Sequence, residues 1–344
     1  MRRMDFPLIS AKFCDYRVLM RKFLIMRRQK TIGLYLTGGL GNQLFQFAAA
    51  ITNSQGRLIE IIEKPGRPRL NSNGDPEIFS LSLDNLANIH RRKEDGFILG
   101  KSVAYVLRCS ILPDRLERNR LFSMITVLMA AVLHSFYFRR LYFPLTIPDV
   151  GYSKITRSKK LERVFNPFLV GYFQSFVWPE SVRIRLQSLK LVDEGPRLQS
   201  LRLEAQLMAP TIIHIRRGDY EELEKTHGLP GENYYRAAMD IVDKSYASHP
   251  IWVFSDDVNQ ARKILAWLPK ERVKYISDVD GQSASSLMAM RLGCAYIIAN
   301  STFSWWGAFL SECEDPLVVA PNPWFTGRKE PSLLIPSKWI RITY

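Results

Sequence analysis

Metal and disulfide frameworks are missing from this sequence. Its 344 residues include four scattered cysteines, Cys14, Cys109, Cys294 and Cys313, and no C-x-x-C pair. That excludes zinc-finger spacing and a cystine scaffold, and leaves buried thiols in a reducing compartment as the expectation. His90, His134, His227 and His249 stand alone, and no Ser-His-Asp or Cys-His arrangement is legible. Neither G-x-x-x-x-G-K-[ST] nor G-x-G-x-x-G occurs, which argues against a P-loop and a nicotinamide site. There is no internal repeat and no low-complexity tract. Long apolar runs are also scarce. The longest, Leu121 to Phe138, is flanked by Arg120 and Arg139-Arg140 and interrupted by Ser123, Thr126, His134 and Ser135. It only reaches the lower limit of a membrane span, roughly 17–25 residues, so a buried or interfacial helix is expected there. The start, MRRMDFPLIS, has no uninterrupted apolar core and does not read as a signal peptide.

Acidic residues are in deficit, and the deficit is local. The formal charge is +15. Residues 1–30 hold nine Lys/Arg against two Asp, and residues 101–160 hold eleven basic residues against three acidic ones, which accounts for the whole excess. Such patches suit acidic lipid, a phosphorylated substrate or nucleic acid. Nucleic acid is disfavoured, because no recognisable module and no face of interleaved basic and aromatic residues is visible.

What is present is alternation. The length and the 47% hydrophobic content suit two domains of about 150 residues with real cores. Residues 1–30 read as a basic extension, 31–207 as one domain and 208–344 as a second. Thr31–Leu36 reads as a buried strand, Gly38–Gln43 as a glycine-rich turn and Leu44–Ile51 as a helix, the opening unit of a doubly wound fold. Residues 63–76 read as loop, Phe168–Gln174 as a strand and 179–208 as helical. In the second half, strands at 211–215, 251–254, 273–276, 295–299 and 317–320 alternate with helices at 234–246, 258–268, 284–292 and 303–310. Such alternation predicts a parallel sheet with ligands at the strand ends.

Polar residues gather at those ends. His214-Ile-Arg-Arg-Gly-Asp219 ends a strand in two arginines, whose guanidinium forks match phosphate oxygens. Side chains alternate along a strand, so one arginine is expected on the ligand and the other on a bracing carboxylate. Asp219 by itself reads as a helix cap or a salt-bridge partner. Asn300-Ser-Thr-Phe-Ser-Trp-Trp-Gly307 joins a strand to a helix and offers hydroxyls and free amides to an anion, or a simple cap with tryptophans in the core. Glycines 38, 39 and 41 allow close backbone approach to a ligand, or simply a tight turn. Asp256-Asp257 and Asp278-Val-Asp280 admit a divalent-metal reading, but the second pair sits in a Gly/Ser-rich turn and the arginines already serve phosphate.

Five segments in order resemble glycosyltransferase family 11, the alpha-1,2-fucosyltransferases. They are Gly38-Gly-Leu-Gly-Asn-Gln-Leu-Phe-Gln-Phe47, Gly171-Tyr-Phe-Gln-Ser175, His214-Ile-Arg-Arg-Gly-Asp-Tyr220, Val253-Phe-Ser-Asp-Asp257 and Ile297-Ile-Ala-Asn-Ser-Thr-Phe-Ser-Trp-Trp-Gly-Ala308. Pro336-Ser-Lys-Trp-Ile340 is similar too, so the resemblance spans about residues 31–344, leaving out much of 101–160. It implies a GT-B architecture, two Rossmann-like domains with parallel sheets facing across a cleft, the N-terminal one for the acceptor and the C-terminal one for the donor. It implies inverting transfer of fucose from GDP-β-L-fucose to a glycan hydroxyl, the 2-OH of a galactoside, with no divalent metal and no further cofactor. Arg216 would stabilise the leaving diphosphate with Ser301, Thr302 and Ser304 nearby. Asp219 is the favoured base, with His214 as an alternative and Asn42 acting through positioning. Gly39, Gly41, Gln43, Arg217, Asp256, Asp257, Asn300 and Trp305 complete the expected substrate contacts. One departure stands out: Ala284 occupies the place of an acid that related enzymes use for guanine, for which Asp278, Asp280 or Asp256 could substitute. Another linkage, or an inactive glycan-binding relative, fits the same motifs. The expected setting is the cytoplasm, at the inner face of a membrane, with an oligosaccharide acceptor that is lipid-linked.

Overall fold

The computed structural model describes residues 31–63, 68–92, 125, 132, 142–144, 146–147, 154–155, 166–169, 171–218, 228–327 and 330–344. The extension 1–30, most of 101–160, Asp219 and His227 lie outside the described residues, as do Cys14 and Cys109. Of the apolar run 121–138, only Ile125 and Val132 are described, both helical and exposed. Among the described residues, no helix is long and apolar enough to cross a membrane.

Two parallel sheets carry the chain. The first orders β3 (Ile89–Arg92), β2 (Leu58–Ile62), β1 (Thr31–Tyr35), β7 (Asn166–Leu169) and β4 (Tyr142–Pro144), all parallel. A short antiparallel pair, β5 (Thr146–Ile147) with β6 (Lys154–Ile155), stands apart. The second sheet orders β10 (Val273–Ile276), β9 (Ile251–Ser255), β8 (Thr211–Ile215), β11 (Ala295–Ile297), β12 (Leu317–Asn322) and β13 (Ile340–Thr343). Counted by sequence within this sheet, the order is that of the doubly wound dinucleotide fold, with its switch point between β8 and β11. The GT-B arrangement implied by the resemblance is the architecture of the molecule.

The burial pattern explains the strands. β1, β2 and β8 are buried at every position, as expected for parallel strands covered on both faces. On β8, Ile212 joins the larger core while Ile213 and Ile215 join the smaller one under α5 (Glu232–Tyr246), the alternation a strand imposes. Helices α1 (Leu40–Ser54), α2 (Val177–Ser181), α3 (Arg183–Gln187), α4 (Pro196–Met208), α6 (Val258–Ile264), α7 (Ser283–Met290) and α8 (Thr302–Phe309) complete the layers.

The larger core runs through both sheets' helices, and its seam is aromatic. Phe45 of α1 packs on Trp305 and Trp306 of α8, with ring centroids 4.5 and 5.0 Å away. Trp305 stacks on Phe309 at 4.8 Å. Gly41 makes this approach possible. A Cβ added there would lie 2.6 Å from the Thr302 carbonyl carbon and 2.7 Å from the Phe303 nitrogen. Backbone cannot yield as a side chain can. Gly41→Ala is therefore expected to cost about 1–3 kcal/mol of stability, read as a lower urea midpoint. A wild-type midpoint would mean that α1 and α8 part freely.

The structure amends the sequence reading in several places. Gly41, Asn42 and Gln43 belong to the first turn of α1, so only Gly38 and Gly39 form the turn before it. The strands β2 to β6 and β13 are not expected from the sequence, β4 to β6 falling in a stretch that reads as helical; β7 ends at Leu169, short of the expected Gln174, and β12 is followed by another strand. The helical stretch 179–208 divides into α2, α3 and α4. Cys294 and Cys313 are free and only partly buried, and their thiols face one another.

Candidate active site

A cleft of about 620 Å³ lies between the two sheets, where both strand sets end. That volume is typical of small-molecule sites. The C-terminal wall is built at the switch point of the second sheet. β8 runs out into Arg216, and β11 runs out through Ala299 and Asn300 into Ser301, the cap of α8. The Ser301 hydroxyl accepts the Phe303 N–H at 3.3 Å, and Ser301, Thr302 and Phe303 line the cleft. The cleft is thus faced by a guanidinium and by a helix start, both favourable to an anion.

Arg216 is held in place. Its Nη1 lies 3.1 Å from Asp256 Oδ2, and the Arg217 N–H donates to Asp256 Oδ1 at 2.9 Å. Gly218 leaves room for this carboxylate, since a Cβ there would lie 2.6 Å from Asp256 Oδ2. The two adjacent acids part ways: Asp256 lines the cleft, while Asp257 caps α6 by accepting the Gln260 N–H at 3.0 Å.

His214 lines the same wall and is almost completely buried. Its Nδ1 has no hydrogen-bond partner. Burial, and then the Arg216 charge, push its pKa down to about 3. The imidazole is neutral near pH 7. In the unfolded chain the same group takes a proton near pH 6.5, so the unfolded state binds more protons between about pH 3 and 6.5. Stability therefore falls as pH drops through that window, with a limiting slope of about 1.4 kcal/mol per unit. His214→Gln is expected to flatten the stability-versus-pH curve, measured by urea melts at pH 6.5 and 4.5. An unchanged slope would assign the acid sensitivity to other groups.

The N-terminal wall is the start of α1. Gly38 adopts φ +72°, and a Cβ there would meet Asn42 Nδ2 at 2.7 Å. Gly39 supplies no side-chain cap. The Leu40 N–H instead donates to Glu77 Oε2 at 2.7 Å. Asn42 Oδ1 accepts from Gln174 Nε2 at 2.9 Å, which fixes the amide at the cleft. Beside it, Tyr172 lines the wall between Gly171 at φ 145° and buried Phe173 at φ 51°. A non-glycine residue at that φ is backbone strain beside the cleft.

Of the residues read from sequence as ligand contacts, the structure gathers Gly39, Gly41, Asn42, His214, Arg216, Asp256, Ser301 and Thr302 on the cleft. Six others sit behind its walls. Gln43 Nε2 donates to Gly38 O and Arg69 O, while its Oε1 accepts the Ile78 N–H. Arg217 is buried and donates to Arg216 O and Pro230 O; it braces the loop through carbonyls where a carboxylate was expected. Asn300 donates to Gly228 O and Trp324 O. Ser304 bonds Ala299 O and Ser301 O. Trp305 is fully buried with its Nε1 on Leu334 O, and Asp257 is the cap described above. In each case the polar group has been spent on backbone; for all but the half-buried Asp257, burial demands it. Asp219 lies outside the described residues.

The acidic pair Asp278 and Asp280 also divides. Asp280, at φ 53°, accepts from Arg197 and Leu198 N–H at 3.1 Å each and so caps α4, while Asp278 stays on the cleft. Among the described residues, no group of three His, Cys, Asp or Glu could hold a metal ion. Ala284 is buried and lines a small hollow with Asn71 and Ser72 that shares Glu77, Gly281, Gln282 and Ser283 with the main cleft, whereas Ser286 faces the cleft itself. Ala284 is not itself among the residues that line the main cleft. Sequence reasoning missed Arg69, Glu77 and Tyr172 on the N-terminal wall and Ser283 and Ser286 on the other. Only Tyr172 lay within a motif; the rest reach the cleft through loop 68–80 or one helix face, which no local pattern announces.

The chain is similar to several known proteins. A model of "Glycosyl transferase family 11" matches residues 155–339. The O-antigen biosynthesis glycosyltransferase WbnK of Escherichia coli is 28% identical over 327 residues, covering 89% of this chain and 99% of that protein. An alpha-1,2-colitosyltransferase of Escherichia coli is 27% identical over 319 residues, covering 89% and 97%. Among solved structures, fucosyltransferase NodZ from Bradyrhizobium aligns over 84% of this chain and 97% of its own, with a TM-score of 0.46 and 12% identity. The family match at residues 155–339 takes in the whole C-terminal wall of the cleft, from the end of β8 to the start of α8, and by that match the chain belongs to glycosyl transferase family 11, a glycosyltransferase.

Proposed function

We propose that the protein transfers L-fucose from GDP-β-L-fucose, with inversion, to the 2-OH of a galactoside, without a divalent metal or other cofactor. One observation carries this reading: Arg216 and the start of α8 face the same cleft, opposite the backbone of Gly38 to Asn42. As the bond from sugar C1 to the β-phosphate oxygen breaks, negative charge grows on the diphosphate. A fixed guanidinium and the first-turn amides of α8 stabilise that charge without reorganising. The wall formed by 208–344 then holds the donor and the wall formed by 31–207 receives the acceptor. The acceptor oxygen attacks the opposite face of an oxocarbenium-like sugar and loses its proton to Asp219. His214, neutral and weakly basic, is the alternative base.

The relatives support a glycan acceptor of the O-antigen type. The basic stretches 1–30 and 101–160 suit a protein working at the inner, anionic face of a membrane on a lipid-linked acceptor. A second donor has support of its own. One relative is named for colitose, so GDP-colitose competes with GDP-fucose as the natural substrate.

The test is GDP release from GDP-fucose with a β-galactoside acceptor, in EDTA, with GDP-mannose and GDP-colitose in parallel. Acceptor-dependent release from GDP-fucose alone supports donor, reaction and metal independence together. Release from GDP-colitose alone moves the donor assignment. EDTA-sensitive turnover overturns the metal-free mechanism, and a product linked elsewhere than the 2-OH overturns the linkage.

A further inference from the structure

The cleft contains a buried carboxylate that the transfer chemistry above does not use. Glu77 opens a short 3-10 turn, Glu77–Ser80, and is 5% exposed. Its Oε2 accepts the N–H of Leu40, the first residue of α1, at 2.7 Å. Its Oε1 accepts the hydroxyl of Ser283, the first residue of α7, at 2.8 Å. Leu40 stands on the first sheet's side of the cleft and Ser283 on the second's, so one side chain ties two helix starts across it. A carboxylate is the strongest acceptor for such donors, and a helix start is where its charge is favoured. Its own backbone is anchored as well: the Glu77 N–H donates to Arg69 O at 3.0 Å and the Ile78 N–H to Gln43 Oε1 at 2.9 Å.

We propose that Glu77 is a positioning residue, forming with Ser283 a latch that sets the spacing of the two cleft walls. This rests on the reading of the cleft as the transfer site. An acceptor hydroxyl on one wall must reach the sugar C1 on the other to within about 3–3.5 Å, and a displacement of 1 Å can cost about 10²-fold in rate. Neither atom of the latch needs to touch substrate for this to hold. Substrate binding and wall spacing are therefore separable quantities.

The experiment uses the full chain with Ser283→Ala, which removes one hydroxyl and leaves Glu77 on the Leu40 amide, and Ser283→Thr, which keeps the hydroxyl. Hydrogen exchange is followed without substrate, GDP affinity by calorimetry, and kcat and KM with GDP-fucose and acceptor. In Ser283→Ala, residues 69–80 and 281–286 are expected to exchange about tenfold faster, with the cores of both sheets unchanged. Its kcat should fall about tenfold while GDP affinity stays within about twofold, and Ser283→Thr should restore kcat. Unchanged exchange overturns the latch. Faster exchange with wild-type kcat overturns the positioning role, as does a parallel loss of GDP affinity, which would make Ser283 a ligand contact. Exchange needs no donor, so a wild-type chain inactive on GDP-fucose counts against the donor assignment and not against the latch.

Discussion

Arg216→Ala should lower turnover of GDP-fucose by about 10²–10³-fold, the usual loss when one preorganised partner of a developing anion is removed. The geometry accounts for the size of the effect. The guanidinium is about 20% exposed and points into the cleft, and Asp256 holds one of its nitrogens at 3.1 Å. It is aimed before substrate arrives. The charge it meets appears mainly as the C1–O bond breaks, so the loss should fall on kcat more than on KM. Arg216→Lys should recover only part of the activity, because a single ammonium cannot reproduce the planar fork. Steady-state kinetics with both substrates varied would measure this. Turnover within about threefold of wild type in Arg216→Ala would remove Arg216 from the mechanism, since a genuine anion partner contributes far more than that.

Asp219→Ala should cost about 10²–10⁴-fold in turnover at saturating donor and acceptor, the range for a well-placed general base. The alternative base on the cleft is His214, whose pKa of about 3 leaves it too weakly basic to take a hydroxyl proton near neutrality. The proposed mechanism gives the proton to Asp219. GDP affinity should barely change, because the proton is lost by the acceptor and not by the nucleotide. Calorimetry with GDP, run beside the kinetics, separates the two effects. Near-wild-type turnover in the variant would sink the assignment. A lost GDP site would instead give Asp219 a structural role.

The C-terminal sheet was readable at almost every strand because its code is local. Thr211-Ile-Ile-His-Ile215 and Ile251-Trp-Val-Phe254 are short apolar runs that end in polar clusters, and strands buried on both faces leave that signature. Ile340–Thr343 escaped notice because it lies at the sheet edge and none of its residues is buried, so it leaves no apolar run. Gly41 through Gln43 read as a turn because glycine is a poor helix former, yet the helix starts at Leu40, where Glu77 provides the cap that Gly39 lacks.

The chemistry of the C-terminal wall was largely contained in the order of residues. Arg216 follows a strand and Ser301 precedes a helix, and a parallel sheet brings consecutive strand ends to one side. Which polar side chains actually face the cleft depended on packing. Arg217, Asn300, Ser304 and Trp305 carry donors suited to a ligand, but each is buried and bonded to backbone carbonyls, because an unpaired buried donor costs more than a lost ligand contact. The N-terminal wall was decided further still from the local sequence. Glu77 and Ser283, 206 residues apart, meet only because Gly41 lets α1 close on α8 around Phe45, Trp305 and Trp306, and a contact of that range leaves no periodicity for a sequence to display.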